Sequence, residues 1–275
     1  MADEGVPAVD TTRPHQARIW NHWLGGKDNY PIDREVGDRI MEVFPEIADI
    51  ARHSRALLVR MVRYLAEQEG VRQFLDIGTG MPAVDNTHEV AQRVDPKARV
   101  VYVDNDALVV AHARALLTST PEGTCDYIQA DIRDPLDIIE RAKATLDFSQ
   151  PIALILLGIV GNVADDEDPL GIVRILVDAL PPGSFVAVND GTNVLGVNEH
   201  TSADETARAE ALKLCADAGS VPYHARTPAF IEACLNGLDI LEPGVVSTPL
   251  WRPDFPQLDQ AEPLDSFGGL ARKSQ

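Results

Sequence analysis

With 275 residues and 43 acidic against 24 basic side chains, a formal charge of −19, the chain is long enough to bury roughly 70–75% of the surface its unfolded form exposes. That charge opposes broad attraction to phosphate backbones or anionic lipid, which rely on clustered Lys and Arg, so nucleic acid and membrane are set aside as partners. Cys125, Cys215 and Cys234 are odd in number, far apart and without a C-x-x-C pair, so neither a disulfide framework nor a metal site is expected.

Residues 1–13 are polar, with two prolines and no periodicity, and read as a loosely attached tail. No apolar signal region follows Met1, and the longest apolar run, around Ile152 to Val160, is far short of the roughly 18 residues of a membrane span. A cytoplasmic protein is expected. From His15 to Leu24, Ala17, Ile19, Trp20, Trp23 and Leu24 recur at helical spacing and Gly25-Gly26 ends the element. A second helix starts near Pro31. A third, about Glu46 to Glu69, carries the stripe Leu57, Leu58, Met61, Val62 and Leu65. Residues 14–70 thus read as an N-terminal helical cap, and 71–275 as the main domain.

After Gly70, short β-rich runs alternate with helical segments: Gln73–Ile77, Val100–Asp104, Asp126–Ala130, Ile152–Gly158 and Ser184–Asn189. Such alternation signals βαβ units and a parallel sheet. Asn86 with Glu89, and Thr227 followed by Pro228, mark helix starts. Near the end, Leu238–Leu241 and Val245–Trp251 flank Glu242-Pro243-Gly244, a connection too short for a crossover, so the two runs are expected to pair as an antiparallel hairpin.

The chemistry concentrates where the first strand ends. In Phe74-Leu75-Asp76-Ile77-Gly78-Thr79-Gly80-Met81-Pro82 a strand runs straight into a glycine loop that lets a ligand approach the backbone. Gly78, Gly80 and Ala83 also satisfy the loose dinucleotide fingerprint, so spacing alone leaves NAD and S-adenosylmethionine both open. Charge separates them. A pyrophosphate is held by N–H groups and a positive helix end, and a carboxylate at Asp76 works against it, whereas a sulfonium with an α-ammonium welcomes it. The capping box at Asn86 also leaves a loop, rather than a helix start, beside the glycines.

Asp104 closes the second strand, 26 positions after Gly78, where it can accept from the ribose hydroxyls; Asn105 follows and flanks the adenine. In Gln129-Ala130-Asp131-Ile132, Asp131 is placed to accept from the adenine amine while Ile132 packs on the ring. Three acids at three successive strand ends form the specific signal. Gly158, after the fourth strand, either gives the methionine end or an acceptor room to approach or serves only as a flexible exit from the strand.

These motifs resemble those of class I S-adenosylmethionine-dependent methyltransferases, over about Phe74 to Gly158. A narrower resemblance runs from Arg13 to about Pro253. Ala17-Arg18-Ile19-Trp20 leading into Leu24-Gly25-Gly26-Lys27-Asp28-Asn29-Tyr30, then Asn86-Thr87-His88-Glu89-Val90-Ala91, are similar to a bacterial family of little-characterised S-adenosyl methyltransferases, formerly a domain of unknown function. The resemblance implies a Rossmann-like α/β fold, its seven-stranded sheet mostly parallel with an antiparallel last strand. It implies S-adenosyl-L-methionine as cofactor, in a pocket containing Asp76, Gly78, Thr79, Gly80, Asp104, Asn105, Asp131, Ile132 and Gly158, closed in part by the N-terminal segment. Within that segment Tyr30 is the preferred contact, and Trp20 and Trp23 are better read as docking their helix.

The segment Leu157-Gly158-Ile159-Val160-Gly161-Asn162-Val163 departs from the pattern by lacking an aromatic or histidine, which keeps open a catalytically silent cofactor-binding module. An NAD(P)-dependent oxidoreductase is the other rival, though no Y-x-x-x-K pattern occurs in the second half. A small-molecule acceptor fits the absence of a basic surface. Methyl transfer needs no obligatory general base; His15, His22, His88, His200 and Asp190 are the residues available if the acceptor is a hydroxyl.

Overall fold

The computed structural model describes residues 11–195, 210, 213–214, 223–254 and 262–274. Residues 1–10 of the expected tail, Cys215 and His200 lie outside the described residues. Three helices open the chain: α1 (Gln16–Trp23), α2 (Pro31–Val43) and α3 (Ile47–Glu67). The α/β alternation follows as β1 (Gln73–Ile77), α4 (Thr87–Val94), β2 (Arg99–Asp104), α5 (Ala107–Leu116), β3 (Thr124–Gln129), α6 (Pro135–Ala142), β4 (Ala153–Leu157), α7 (Pro169–Ala179) and β5 (Phe185–Gly191). The described C-terminal elements are α8 (Pro228–Cys234), β6 (Asp239–Ile240), β7 (Val246–Ser247) and β8 (Ser266–Arg272).

The strands form one sheet in the order β3-β2-β1-β4-β5-β8-β6, with β7 also on β8. β1 to β5 pair in parallel and β8 runs antiparallel to β5 along its whole length. The order reverses between β1 and β4, so the chain leaves the carboxyl ends of these neighbours in opposite directions and opens a crevice between them. Alternate strand residues face opposite layers. Leu75, Val101, Leu154 and Val186 pack with Ile138, Ile172 and Ile231 of α6, α7 and α8, while Phe74, Val100, Ile155 and Ala187 pack with Leu57, Met61 and Val90 of α3 and α4.

Two expectations are corrected. The runs around Leu238 and Val245 do not pair with each other: Asp239 and Ile240 stand opposite Arg272 and Ala271, and Val246 and Ser247 opposite Gly268 and Phe267, so both lie against β8. The antiparallel last strand is therefore β8, which the sequence pattern did not reveal, and with two short strands lying separately along it the sheet, among the described residues, holds eight strands instead of seven. Gly268 and Gly269 hide it, because glycine carries little strand propensity. They are there for want of room: a Cβ on Gly268 would meet the Val188 carbonyl oxygen at 2.9 Å, and one on Gly269 the Val245 side chain at 2.9 Å.

The stripe foreseen on the third helix is real: Leu57, Leu58, Met61, Val62 and Leu65 are all buried. From the same helix Arg60 reaches across the molecule, donating from Nε to the Trp251 carbonyl at 2.9 Å and from Nη2 to the Thr248 carbonyl at 2.6 Å. α1 and α2 form a smaller cluster around Ile19, Val36 and Ile40. Trp23 stitches that pair together, its indole N–H donating to the Gly37 carbonyl at 3.2 Å, the docking role expected of it. Among the described residues no helix is long and apolar enough to cross a membrane.

Candidate active site

Asp76, Asp104 and Asp131 emerge at the carboxyl ends of β1, β2 and β3, beside the β1/β4 crevice. Asp76 lies in register with Tyr102 of β2 and Ile155 of β4 and is 5% exposed. The Thr87 hydroxyl donates to its Oδ2 at 2.6 Å. Burial lifts the carboxyl to about 6, against the pull of that hydrogen bond and of the Arg55 guanidinium. A buried anion short of a counter-charge is a receptor for a cation.

The glycine loop bends over β2. Gly78 and Thr79 both direct their N–H groups to the Val103 carbonyl, at 2.8 and 3.3 Å, and the Gly80 N–H donates to Asp104 Oδ2 at 2.9 Å. Asp104 Oδ1 accepts from the Asp106 N–H at 2.9 Å, and burial raises the carboxyl's pKa despite both bonds. Helix α4 starts only at Thr87, with the Asn86/Glu89 capping box formed as expected, so what faces the glycines is a loop and not a helix N-terminus.

Gly78, Gly80 and Gly158 all take left-handed backbone angles, φ +78°, +64° and +73°. Around Gly80 and Gly158 nothing stands within 4 Å of where a Cβ would be, whereas at Gly78 it would meet Ile159 at 2.7 Å. Gly78→Ala is therefore expected to cost about 2–4 kcal/mol, combining the left-handed penalty with overpacking, and Gly80→Ala only about 1–2 kcal/mol. Denaturant unfolding of the two variants checks this; equal losses would show that Ile159 yields freely.

Asn105 and Asp131 are joined, Asn105 Nδ2 donating to Asp131 Oδ2 at 3.0 Å. Asp131 also accepts from the Arg133 N–H at 2.9 Å and pairs with its guanidinium at 3.2 Å. Burial pushes this carboxyl up, but those bonds bring it below its usual value. Arg133 continues to Glu167 at 2.7 Å and to the Asn162 carbonyl at 2.7 Å, tying the end of β3 to the turn after β4. Ile132 is buried in the core below.

Tyr30 makes no hydrogen bond to this group among the described residues. It caps α2, its N–H bonds Asp33 Oδ2 at 2.8 Å, and its ring lies under the Arg18 guanidinium at 5.3 Å. Buried Asp33 also accepts the His15 N–H at 2.9 Å. From the N-terminal segment His15 comes close to this group, with Nδ1 3.1 Å from Asp106 Oδ2, two residues beyond Asp104. Of the other histidines, His22 pairs with Asp38 at 2.7 Å and His88 is buried against the Tyr102 hydroxyl at 2.9 Å.

A second polar cluster, largely missed by sequence reasoning, lies at the carboxyl ends of β4 and β5. Asp190, 1% exposed, accepts at Oδ1 from the Tyr223 hydroxyl at 2.9 Å and the Gly161 N–H at 3.1 Å, while Oδ2 is buried and, among the described residues, without a hydrogen-bond partner. Burial lifts its carboxyl to about 7. The Tyr223 oxygen accepts from the Gly191 N–H at 2.7 Å. Buried Arg226 donates to the Val163 carbonyl, pairs with Asp165 and stacks on Phe230. The aromatic that the 157–163 segment lacks is thus supplied from elsewhere: a Cβ on Gly161 would fall 2.6 Å from the Tyr223 ring.

The arrangement fits a nucleoside with a cationic amino-acid arm: an acid for the ribose, open backbone at two glycines, and a buried carboxylate beside them. It does not fit a pyrophosphate, which would face Asp76 without a helix N-terminus. Similarity agrees. A model of the S-adenosyl methyltransferase family matches residues 2–274. The structure of a DUF574 family protein from Streptomyces avermitilis is 40% identical, with TM-score 0.88 over 96% of this chain and 99% of that one. A provisionally assigned methyltransferase from Thermobifida fusca is 35% identical, with TM-score 0.85 over the full length of both. The plantazolicin methyltransferase BamL, solved with S-adenosylhomocysteine, shares the fold at 15% identity and TM-score 0.52, over 94% of this chain and 96% of its own. No curated protein matches the chain. The chain belongs to the S-adenosyl methyltransferase family and is an S-adenosylmethionine-dependent methyltransferase.

Proposed function

We propose that the methyl acceptor is a small molecule bearing a neutral nucleophile, a hydroxyl or an amine, received over the turn after β4. The observation that carries this reading is Asp190: one oxygen held by Tyr223 and Gly161, the other buried and unpartnered. Such an oxygen is ready to accept from an acceptor's O–H or N–H and then to take its proton. The charge of −19 supports a small acceptor over nucleic acid.

S-adenosylmethionine, when bound, supplies a methyl group already activated for displacement. The chain's own part is placement in a water-poor crevice. Asp104 and the Gly80 N–H fix the nucleoside end, Asp131 and Asn105 bound the base, and Asp76 faces the cationic arm. Gly158, open on its Cβ side, leaves the path between the two sites clear. We read residues 14–70 as a cap on the domain formed by 71–275. The His15–Asp106 contact supports that reading by placing the start of α1 two residues from Asp104. Tyr30, within that cap, remains a proposed cofactor contact.

Transfer of labelled methyl to a panel of hydroxyl- and amine-bearing metabolites tests the proposal. Asp190→Asn is expected to lower turnover about 10²- to 10⁴-fold, the range of a positioned proton acceptor, with S-adenosylhomocysteine affinity within about 2-fold of the native value. Methylation confined to protein or nucleic acid would overturn it.

A further inference from the structure

Arg55, on α3, reaches the loop that follows the glycines. Its Nε and Nη2 donate to the Val84 carbonyl at 3.2 and 2.9 Å, and Nη2 also to Asn86 Oδ1 at 3.2 Å. All these acceptors are neutral. Among the described residues no carboxylate lies within ion-pair distance of this guanidinium, and Nη1 makes no hydrogen bond. A partly buried cation held only by neutral groups leaves most of its desolvation uncompensated.

The neighbouring feature has the opposite sign. Asn86, which accepts from Arg55, is followed by Thr87, whose hydroxyl donates to buried Asp76. A cation on α3 and an anion on β1, neither ion-paired among the described residues, therefore both touch the short stretch 84–87, at the carboxyl end of the central strand. Burial lowers the pKa of Arg55, and Asp76 is the group that most opposes this, so the two are electrically close without being paired.

A ligand with both charges on adjacent atoms satisfies both groups at once. We propose that Arg55 binds the α-carboxylate of the cofactor's amino-acid arm, while Asp76 takes its α-ammonium. The inference rests on the cofactor assignment above. Arg55 would act from two directions: the Nε/Nη2 edge grips the loop at Val84 and Asn86, and the two free N–H groups of Nη1 turn toward the carboxylate. Within the amino-terminal helices, this makes α3 a contributor to the cofactor pocket as well as to the core.

The test is isothermal titration of the purified full chain with S-adenosylhomocysteine and with its decarboxylated analogue, which keeps the amine and lacks only the carboxylate. Native protein is expected to bind the analogue roughly 10- to 100-fold more weakly than S-adenosylhomocysteine, the range for a charged hydrogen bond. Arg55→Gln is expected to weaken S-adenosylhomocysteine by a similar factor and to leave the analogue within about 2-fold. Arg55→Lys, which keeps the charge and loses the fork, should fall between. Asp76→Asn weakens both ligands, since both carry the amine. If Arg55→Gln and Arg55→Lys weaken both ligands equally, Arg55 is a tether for residues 84–86 and the inference fails; it fails also if neither variant weakens S-adenosylhomocysteine. No binding of S-adenosylhomocysteine by native protein would instead overturn the cofactor assignment itself.

Discussion

Asp104→Ala is expected to weaken S-adenosylhomocysteine binding about 10- to 100-fold, by titration calorimetry, with no NAD binding expected for either the native chain or the variant. The carboxylate's two oxygens each accept one backbone N–H, from Gly80 and from Asp106. A carboxylate offers about four lone-pair directions, so two remain for a ribose diol, and that charged contact as a whole contributes about 1.5–3 kcal/mol, the 10- to 100-fold expected. The group is 9% exposed, so little water competes with the ligand for those directions. Removing it also frees the Gly80 N–H, loosening the turn that brings the glycine backbone to the nucleoside. The loss should be as large for 5′-methylthioadenosine, which retains the ribose and lacks the amino-acid arm. That pattern separates Asp104 from Arg55, whose substitution should not touch this ligand. An Asp104→Ala affinity within about 2-fold of native would show that the acid serves only the loop.

The parts of this fold that were legible in the sequence are those whose pattern is set by neighbours along the chain. β1, β2, β4 and β5 are buried almost along their length, so their β-branched and aliphatic runs stand out between helical segments, and the first glycine loop follows from the strand that precedes it. The caps at Asn86 and Thr227 were legible for the same reason: a capping side chain acts within three residues of itself. What stayed hidden depends on distant neighbours. β8 is a strand because β5 and β6 pair with it from either side, and its two glycines answer to close packing against Asn189, Leu57 and Val245. Tyr223 and Arg226 carry no local signal; they matter because the topology brings them onto the ends of β4 and β5. Arg133 and Arg55 look like any charged residue on a loop or an amphipathic helix, and only the fold shows one bridging Asp131 to Glu167 and the other electrically close to Asp76 with, among the described residues, no ion-pair partner. The acids at the strand ends were visible as a set, since three strand ends in order place them on one edge of one sheet.

Asp190 carries the largest pH effect expected of the protein. Its carboxyl, lifted by burial from an ordinary 3.8 to about 7, holds its proton in the folded chain over a range where the unfolded chain has already lost it. The folded state thus binds more protons between about pH 4 and 7, and stability falls as pH rises through that window. The shift corresponds to about 4 kcal/mol, order of magnitude, fully present as a penalty above pH 7 and absent below pH 4. Asp190→Asn removes the titration while keeping an oxygen to accept from Tyr223 and Gly161. Unfolding free energies of the native chain and the variant, measured by denaturant at intervals from pH 5 to 8, should therefore diverge, with the variant gaining on the native chain as pH rises. A difference constant across that range would mean that Asp190 ionises as freely in the folded chain as in the unfolded one. Asp76, lifted to about 6, should contribute a smaller change of the same sign at lower pH, and the cofactor should suppress it, because a bound α-ammonium favours the ionised carboxylate that empty burial disfavours. Asp190 has no such cation in its surroundings beyond Arg226, so its penalty should persist in the presence of S-adenosylhomocysteine, and the two carboxylates can be told apart by repeating the series with saturating ligand.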